Sequence, residues 1–147
     1  MAEMIARDGI TIAATPSRIW EVLTRSEYTR QYMFGCEPVT DWRVGSALIW
    51  RGATDGKVYV KGTLVNVMPE ATFAYTTFTP NAFDNYEDKP ENYTTVTLTL
   101  TDSEAGTELS VCQGDFAGIA SGALRFAHTV NSWRTVLTKI KAIAESA

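Results

Sequence analysis

Reactive side chains are scarce in this chain. It has one histidine and two cysteines in 147 residues. A lone His128 with no CxxC or HxxxH spacing cannot assemble the three or four ligands of a zinc site, so no metal is expected. Cys36 and Cys112 lie far apart in sequence. With no apolar signal run in Met1–Ile10, they read as reduced thiols in a cytoplasmic protein. No stretch approaches the ~20 apolar residues of a membrane span. Basic clusters are also missing, and the formal charge is -4, which argues against nucleic acid or an anionic surface as partner. No GxGxxG or P-loop pattern surrounds glycines such as Gly114 and Gly118, so no phosphate cradle is expected.

What the chain does contain is aromatic bulk and clean periodicity. Four Trp, six Tyr and six Phe are many large side chains for one domain, which the length predicts to span residues 1–147. The most regular stretch is 121–147. Phe126, Val130, Trp133, Leu137, Ile140 and Ala144 recur at helical spacing and predict one long amphipathic helix, with Thr129, Val136 and Ile143 widening the stripe on one flank. Ser121 is its candidate cap.

Ahead of that helix the period is mostly two. Residues 7–14 read as a first strand. Thr15-Pro16 then opens a short helix carrying Ile19, Trp20 and Leu23, with Thr15 as cap and Pro16 in its first turn. Ser26 is expected to cap a second short helix ending near Gly35. Strands are predicted from Val39 to Arg43, over 47–51, over 57–68 with a bend at Gly62, and over 73–78. Asp55-Gly56 marks a hairpin turn. Residues 93–101 alternate most sharply, with Val96, Leu98 and Leu100 on one face and threonines on the other, so one side of an antiparallel sheet is dry. Residues 107–113 pair back. Between 79 and 92 two Pro, three Asn, two Asp and two Glu break the pattern into a long polar loop.

The expected architecture is α+β. A curved antiparallel sheet wraps a long C-terminal helix, with two short helices after the first strand. A bent sheet around a helix leaves a gap that aromatics are placed to line. Trp50, Tyr59, Tyr75, Phe78 and Trp133 are the candidate cavity-lining residues. Arg51 and Asn131 are candidate polar anchors, and Phe83 and Tyr86 in the long loop are candidates to close the entrance. This is the composition of a small-molecule site, apolar with a few polar groups.

Catalytic alternatives are thinly supported. His128 falls about 160–200° around the helix from the Phe126/Leu137 stripe at 100° per residue, which reads as a solvated position. Asp41, Glu108 and Asp115 form no acid–base pair. Asp41 with Arg43 reads as a strand-surface ion pair. Ser110 and Cys112 have only one histidine in the chain to activate them.

The order of segments resembles the helix-grip domains of the Bet v 1/START (SRPBCC) superfamily, and within it the domain related to the C-terminal half of the activator of Hsp90 ATPase. The carrying residues are Ala14-Thr15-Pro16 with Ile19-Trp20 and Leu23-Thr24, then Tyr32-Met33-Phe34-Gly35. Asp41 to Ser46 follows, then Gly62 to Val67, Pro69-Glu70, Phe73-Ala74-Tyr75, and Trp133 with Leu137 and Lys139-Ile140. Val44 and Ser46 stand where the family usually has Pro and a second Gly, and Thr72-Phe73 replaces an Arg-Leu-like pair. The resemblance implies a helix-grip fold. For function, the aromatic-lined gap favours a domain that binds a small hydrophobic or aromatic ligand, and no cofactor is expected. The resemblance adds two alternatives: an Hsp90-associated co-chaperone-like domain, or an enzyme of the cyclase/aromatase kind found elsewhere in the superfamily.

Overall fold

The computed structural model describes residues 3–80 and 87–146. Its element order is β1 (Ala6–Ile12), α1 (Pro16–Thr24), α2 (Ser26–Tyr32), β2 (Cys36–Val39), β3 (Ala47–Gly52), β4 (Val58–Met68), β5 (Thr72–Thr77), β6 (Thr94–Ser103), β7 (Gly106–Gly114) and α3 (Gly122–Glu145), with a 3-10 turn at Pro90–Asn92 before β6. Seven strands form one antiparallel sheet in the order β1-β7-β6-β5-β4-β3-β2. The helix-grip expectation is met. Every consecutive pair from β2 to β7 is a neighbour, and the helical excursion between β1 and β2 carries the chain from one edge of the sheet to the other.

The sheet packs one face inward. On β6, Val96, Leu98 and Leu100 are buried while Thr95, Thr97 and Thr99 are only partly covered. Irregular registers between Trp50 and Arg51 on β3, and between Leu64 and Asn66 on β4, interrupt the ladder. Bulges of this kind bend a strand and increase its twist. Gly62 marks a close backbone approach: a Cβ there would stand 1.6 Å from the Thr76 carbonyl oxygen, so no other residue fits without moving β5.

Helix α1 begins as its sequence suggests. The Thr15 hydroxyl accepts the Arg18 backbone N–H at 3.1 Å, and Pro16 opens the helix. Several local expectations are corrected. Ser26 is the first residue of α2, and Arg25 holds the cap position without a side-chain bond. The predicted strand at 39–43 ends at Val39. Asp41 folds back to accept the Arg43 backbone N–H at 3.0 Å, and Trp42 takes φ 61°. Asp41 and Arg43 therefore make an Asx turn, in which the carboxylate bonds to the backbone of its proposed ion-pair partner. Its pKa is lowered by a hydrogen bond from Ser46 and by that Arg43 N–H. At α3, Ser121 precedes the helix in a left-handed conformation, and its side chain makes no capping bond.

The C-terminal half of α3 is clamped. Trp133, Val136, Leu137, Ile140 and Ala144 are buried, Leu137 and Ile140 completely. They join Ile12, Ile19, Val22, Leu23, Leu98, Leu109 and Val111 in one core. Arg18 of α1 reaches across to the end of α3, donating to the carbonyls of Ile143, Ala144 and Ser146 at 3.1–3.4 Å. A cation among the last carbonyls of a helix complements both their hydrogen-bonding need and the helix dipole. The N-terminal half of α3 behaves differently. Val130 is 42% exposed, and Phe126 packs edge-to-face on Phe116 at 5.9 Å. The apolar stripe read from the sequence thus grips the core only from Trp133 onward.

Candidate functional site

Where the stripe lets go, a cavity of about 400 Å³ opens. Its floor is a row of side chains from successive strands: Trp50 on β3, Val60 on β4, Tyr75 and Thr77 on β5, Thr94 and Val96 on β6, and Gln113 on β7. The register explains the row. Trp50 is opposite Val60, Tyr75 opposite Val96, Thr77 opposite Thr94, and Val96 opposite Gln113. Side chains directly opposite in neighbouring strands share a face. The roof is α3, whose Arg125, Thr129, Ser132 and Val136 recur at four, three and four residues and face the space together with Trp133. Met33 and Phe34, after α2, form part of the rim, as do Phe78, Thr79 and His128.

Aromatic groups dominate the wall. Trp50 and Tyr75 are tilted at 6.4 Å, Tyr75 stacks on Phe73 at 5.8 Å, and Phe73 in turn meets the edges of Trp20 and Trp42 at 5.5 and 5.8 Å. Phe78 stacks on Tyr93 at 5.0 Å. Phe34 is 62% exposed with φ 52°, and the Lys139 ammonium sits over its ring.

Polar groups in the wall fall into two kinds. Some are tied down. The Trp133 Nε1–H donates to Gln113 Oε1 at 2.7 Å, and Gln113 Nε2 donates to the Thr94 hydroxyl at 3.0 Å. Arg125 donates to the carbonyls of Asn92 and Ala120, and Asn92 Oδ1 accepts the Ala120 N–H. This fixes the start of α3 against the turn before β6. Others are not tied down. The Trp50 Nε1–H is buried without a conventional hydrogen bond. Its polar neighbour is the Tyr75 hydroxyl. That contact slightly opposes burial, which raises the Tyr75 phenol far above its ordinary pKa. Tyr32, behind the wall, is also raised by burial, and its hydroxyl donates to the Leu23 carbonyl at 2.7 Å.

The candidate residues separate according to strand and helix phase. Trp50, Tyr75, Phe78 and Trp133 meet at the cavity. Tyr59 does not. It is 44% exposed, with its hydroxyl on Asp55. Arg51 pairs with Glu37 at 3.0 Å on the exposed side of the sheet. Each is one residue from a wall residue, Val60 or Trp50, and successive strand side chains point to opposite faces. Asn131 is exposed, two residues and so about 200° around the helix from Trp133. Phe83 and Tyr86 lie outside the described residues. His128 is exposed yet touches the rim, because α3 turns its Arg125/Thr129/Ser132 side to the cavity.

Sequence reasoning overlooked Gln113 and Thr94, although both were in phase with recognised inward residues: Gln113 with Leu109 and Val111, Thr94 with Val96 and Leu98. Phe116, in an irregular link, carried no periodic signal.

The profile of the family described as Activator of Hsp90 ATPase homolog 1-like protein matches residues 13–145. The chain belongs to this family. Among solved structures, the family member is similar to ChR145 from Cytophaga hutchinsonii, with 33% identity and a TM-score of 0.75 over 99% of this chain and 97% of that one. It is also similar in fold to MLL2253 from Mesorhizobium loti, at 19% identity and TM-score 0.74 over 94% of each chain. A third likeness is the Aha1 dimer from Colwellia psychrerythraea, at 19% identity and TM-score 0.72, covering 99% and 98%. No protein of curated function matches the sequence.

The family's Hsp90 ATPase activator-like helix-grip fold supports either ligand binding or a co-chaperone-like role. Among the described residues no helix is long and apolar enough to cross a membrane. The motifs quoted for the resemblance mostly shape the sheet and the clamp around the site. Ile19 and Leu23 pack the core, and Gly45 donates its N–H to the Leu64 carbonyl at 2.8 Å.

Proposed function

We propose that this domain binds a small hydrophobic or aromatic molecule in the cavity between the sheet and α3. One observation carries the reading: a space of about 400 Å³ floored and roofed by Trp50, Tyr75, Val96, Trp133 and Val136. Ligand pockets typically measure ~300–1,000 Å³ and are mostly apolar with a few placed polar groups. Removing apolar surface from water at both ligand and wall drives such binding. Of the residues expected to act there, Trp50, Tyr75, Phe78 and Trp133 remain the proposed contacts. Cyclase/aromatase chemistry is less well supported, since the described wall carries no Asp, Glu or Cys to work with His128 at its rim.

A second reading, association with Hsp90, comes with the family description. It is favoured by the apolar side chains that β4 leaves exposed, Val58, Tyr59, Val65 and Met68.

The test is native mass spectrometry of protein purified from its own host, followed by thermal melts with the copurified molecule. A ligand at 100 times its Kd stabilises by about 2.7 kcal/mol. For a chain of this size that raises Tm by roughly 5–10 °C. Protein that flies only at its bare mass, and melts unchanged with a library of apolar aromatics, would sink the binding reading. Capture of Hsp90 by the same protein, lost when Val65 and Met68 are made charged, would favour the second.

A further inference from the structure

We propose that Tyr75 is the polar anchor of the cavity, and that the molecule bound there carries a hydrogen-bond acceptor oxygen of the carbonyl kind on an otherwise apolar ring system. This rests on the binding reading above and sharpens it. Trp50 and Tyr75 are 1% and 3% exposed, and both form the wall. Among the described residues the indole N–H has no conventional acceptor, and the Tyr75 hydroxyl donates to none. A folded chain rarely leaves an indole N–H unpaired in this way, because an unmade hydrogen bond costs about 1–3 kcal/mol when its group is shut away from water. The neighbouring polar residues are already engaged, Trp133 with Gln113 and Gln113 with Thr94.

The role of the phenol follows from the chemistry of the pair. An indole N–H can only donate, so in the contact between the two side chains the phenol supplies its oxygen, and its O–H is left to donate to a third group. Burial keeps that phenol protonated at any neutral or moderately alkaline pH, so it offers a proton and not a charge. A carbonyl oxygen matches this; a cationic amine does not. The rings of Trp50, Tyr75 and Phe78 in the lining suit a planar ring system.

The experiment uses 1-tetralone and tetralin, two bicyclic probes of nearly one shape that differ by a carbonyl oxygen. Affinities are read by calorimetry or by quenching of tryptophan fluorescence, for the full chain and for Tyr75→Phe. The expected result is that Tyr75→Phe weakens 1-tetralone about five-fold, the yield of one neutral hydrogen bond, and leaves tetralin within about two-fold. The melting temperature of Tyr75→Phe should be unchanged or higher, since the hydroxyl it loses serves no protein acceptor. If both probes bind and the substitution shifts them equally or not at all, the anchor is wrong while the cavity reading stands; a trapped water then satisfies the pair. If neither probe binds the unsubstituted chain, the binding reading itself fails and the anchor falls with it.

Discussion

Leu137→Ala tests whether the fold is sealed by only one half of α3. Leu137 is completely buried between the sheet and α1, so its truncation removes apolar contacts on every side and leaves a void that neighbours cannot close. Comparable buried leucines cost about 3–4 kcal/mol. For a chain near 150 residues, each kcal/mol lowers Tm by about 2–4 °C, so a fall of roughly 10 °C is expected. The matched control is Val130→Ala, two turns earlier on the same helix and on the same nominal stripe. Val130 is 42% exposed, and alanine is the better helix former. Its change should stay within about 0.5 kcal/mol, or at most about 2 °C. Calorimetry gives the Tm values, and urea titration with an unchanged slope confirms that the native state lost stability without changing its extent. Equal losses at the two positions, or a Leu137→Ala melt within about 2 °C of the parent, would refute the division of α3 into a clamped half and an open half.

Two further outcomes follow from ionisable groups. The Glu145 carboxylate accepts the Ala13 backbone N–H at 2.8 Å and pairs with Lys141, and these bonds lower its pKa, the Ala13 bond most. A lowered carboxyl contributes stability above its unfolded pKa of about 4.3 and loses that contribution as pH falls through the folded value. Tm should therefore decline below about pH 5, and Glu145→Gln should make the decline shallower; an identical pH profile would count against the contact. Burial, with Asp55 nearby, raises the Cys36 thiol, whereas Cys112 is exposed. Ellman's reagent should label Cys112 promptly and Cys36 only after denaturation, because the thiolate is the reactive form. Prompt labelling of Cys36 in the native protein would place it at the surface.

The parts of the fold that were readable from sequence are those fixed by local spacing. Leu98 and Leu100 against Thr97 and Thr99 set the faces of β6, Asp55-Gly56 set a turn, and Leu137, Ile140 and Ala144 set the clamped face of α3. What was not readable depends on partners distant in sequence. Strand β2 contains Glu37 and Pro38 and has no alternation of its own. It exists because it pairs with β3 at the sheet edge, where proline is tolerated. Asp41 satisfied a backbone donor in place of a guanidinium. At the site, Trp50 and Trp133 were legible because large aromatics in phase with a core are rarely elsewhere. Arg51, Tyr59 and Asn131 were misplaced by one or two residues, which is enough to reverse the face in a strand or cross a helix. The tie between Asn92 and Arg125 joins a loop to a helix over 33 positions, and no window of sequence contains both.

Arg18, gripping the last carbonyls of α3, bolts the far end of the helix to the first crossover. The near end is held by its link from β7 and by Arg125 bonding to Asn92. A rod pinned this way has a natural freedom: swapping Thr129 or Ser132 recontours the chamber while the seal at Leu137 and Ile140 stays intact. Descendants of such a chain can reshape that chamber without relearning how to fold.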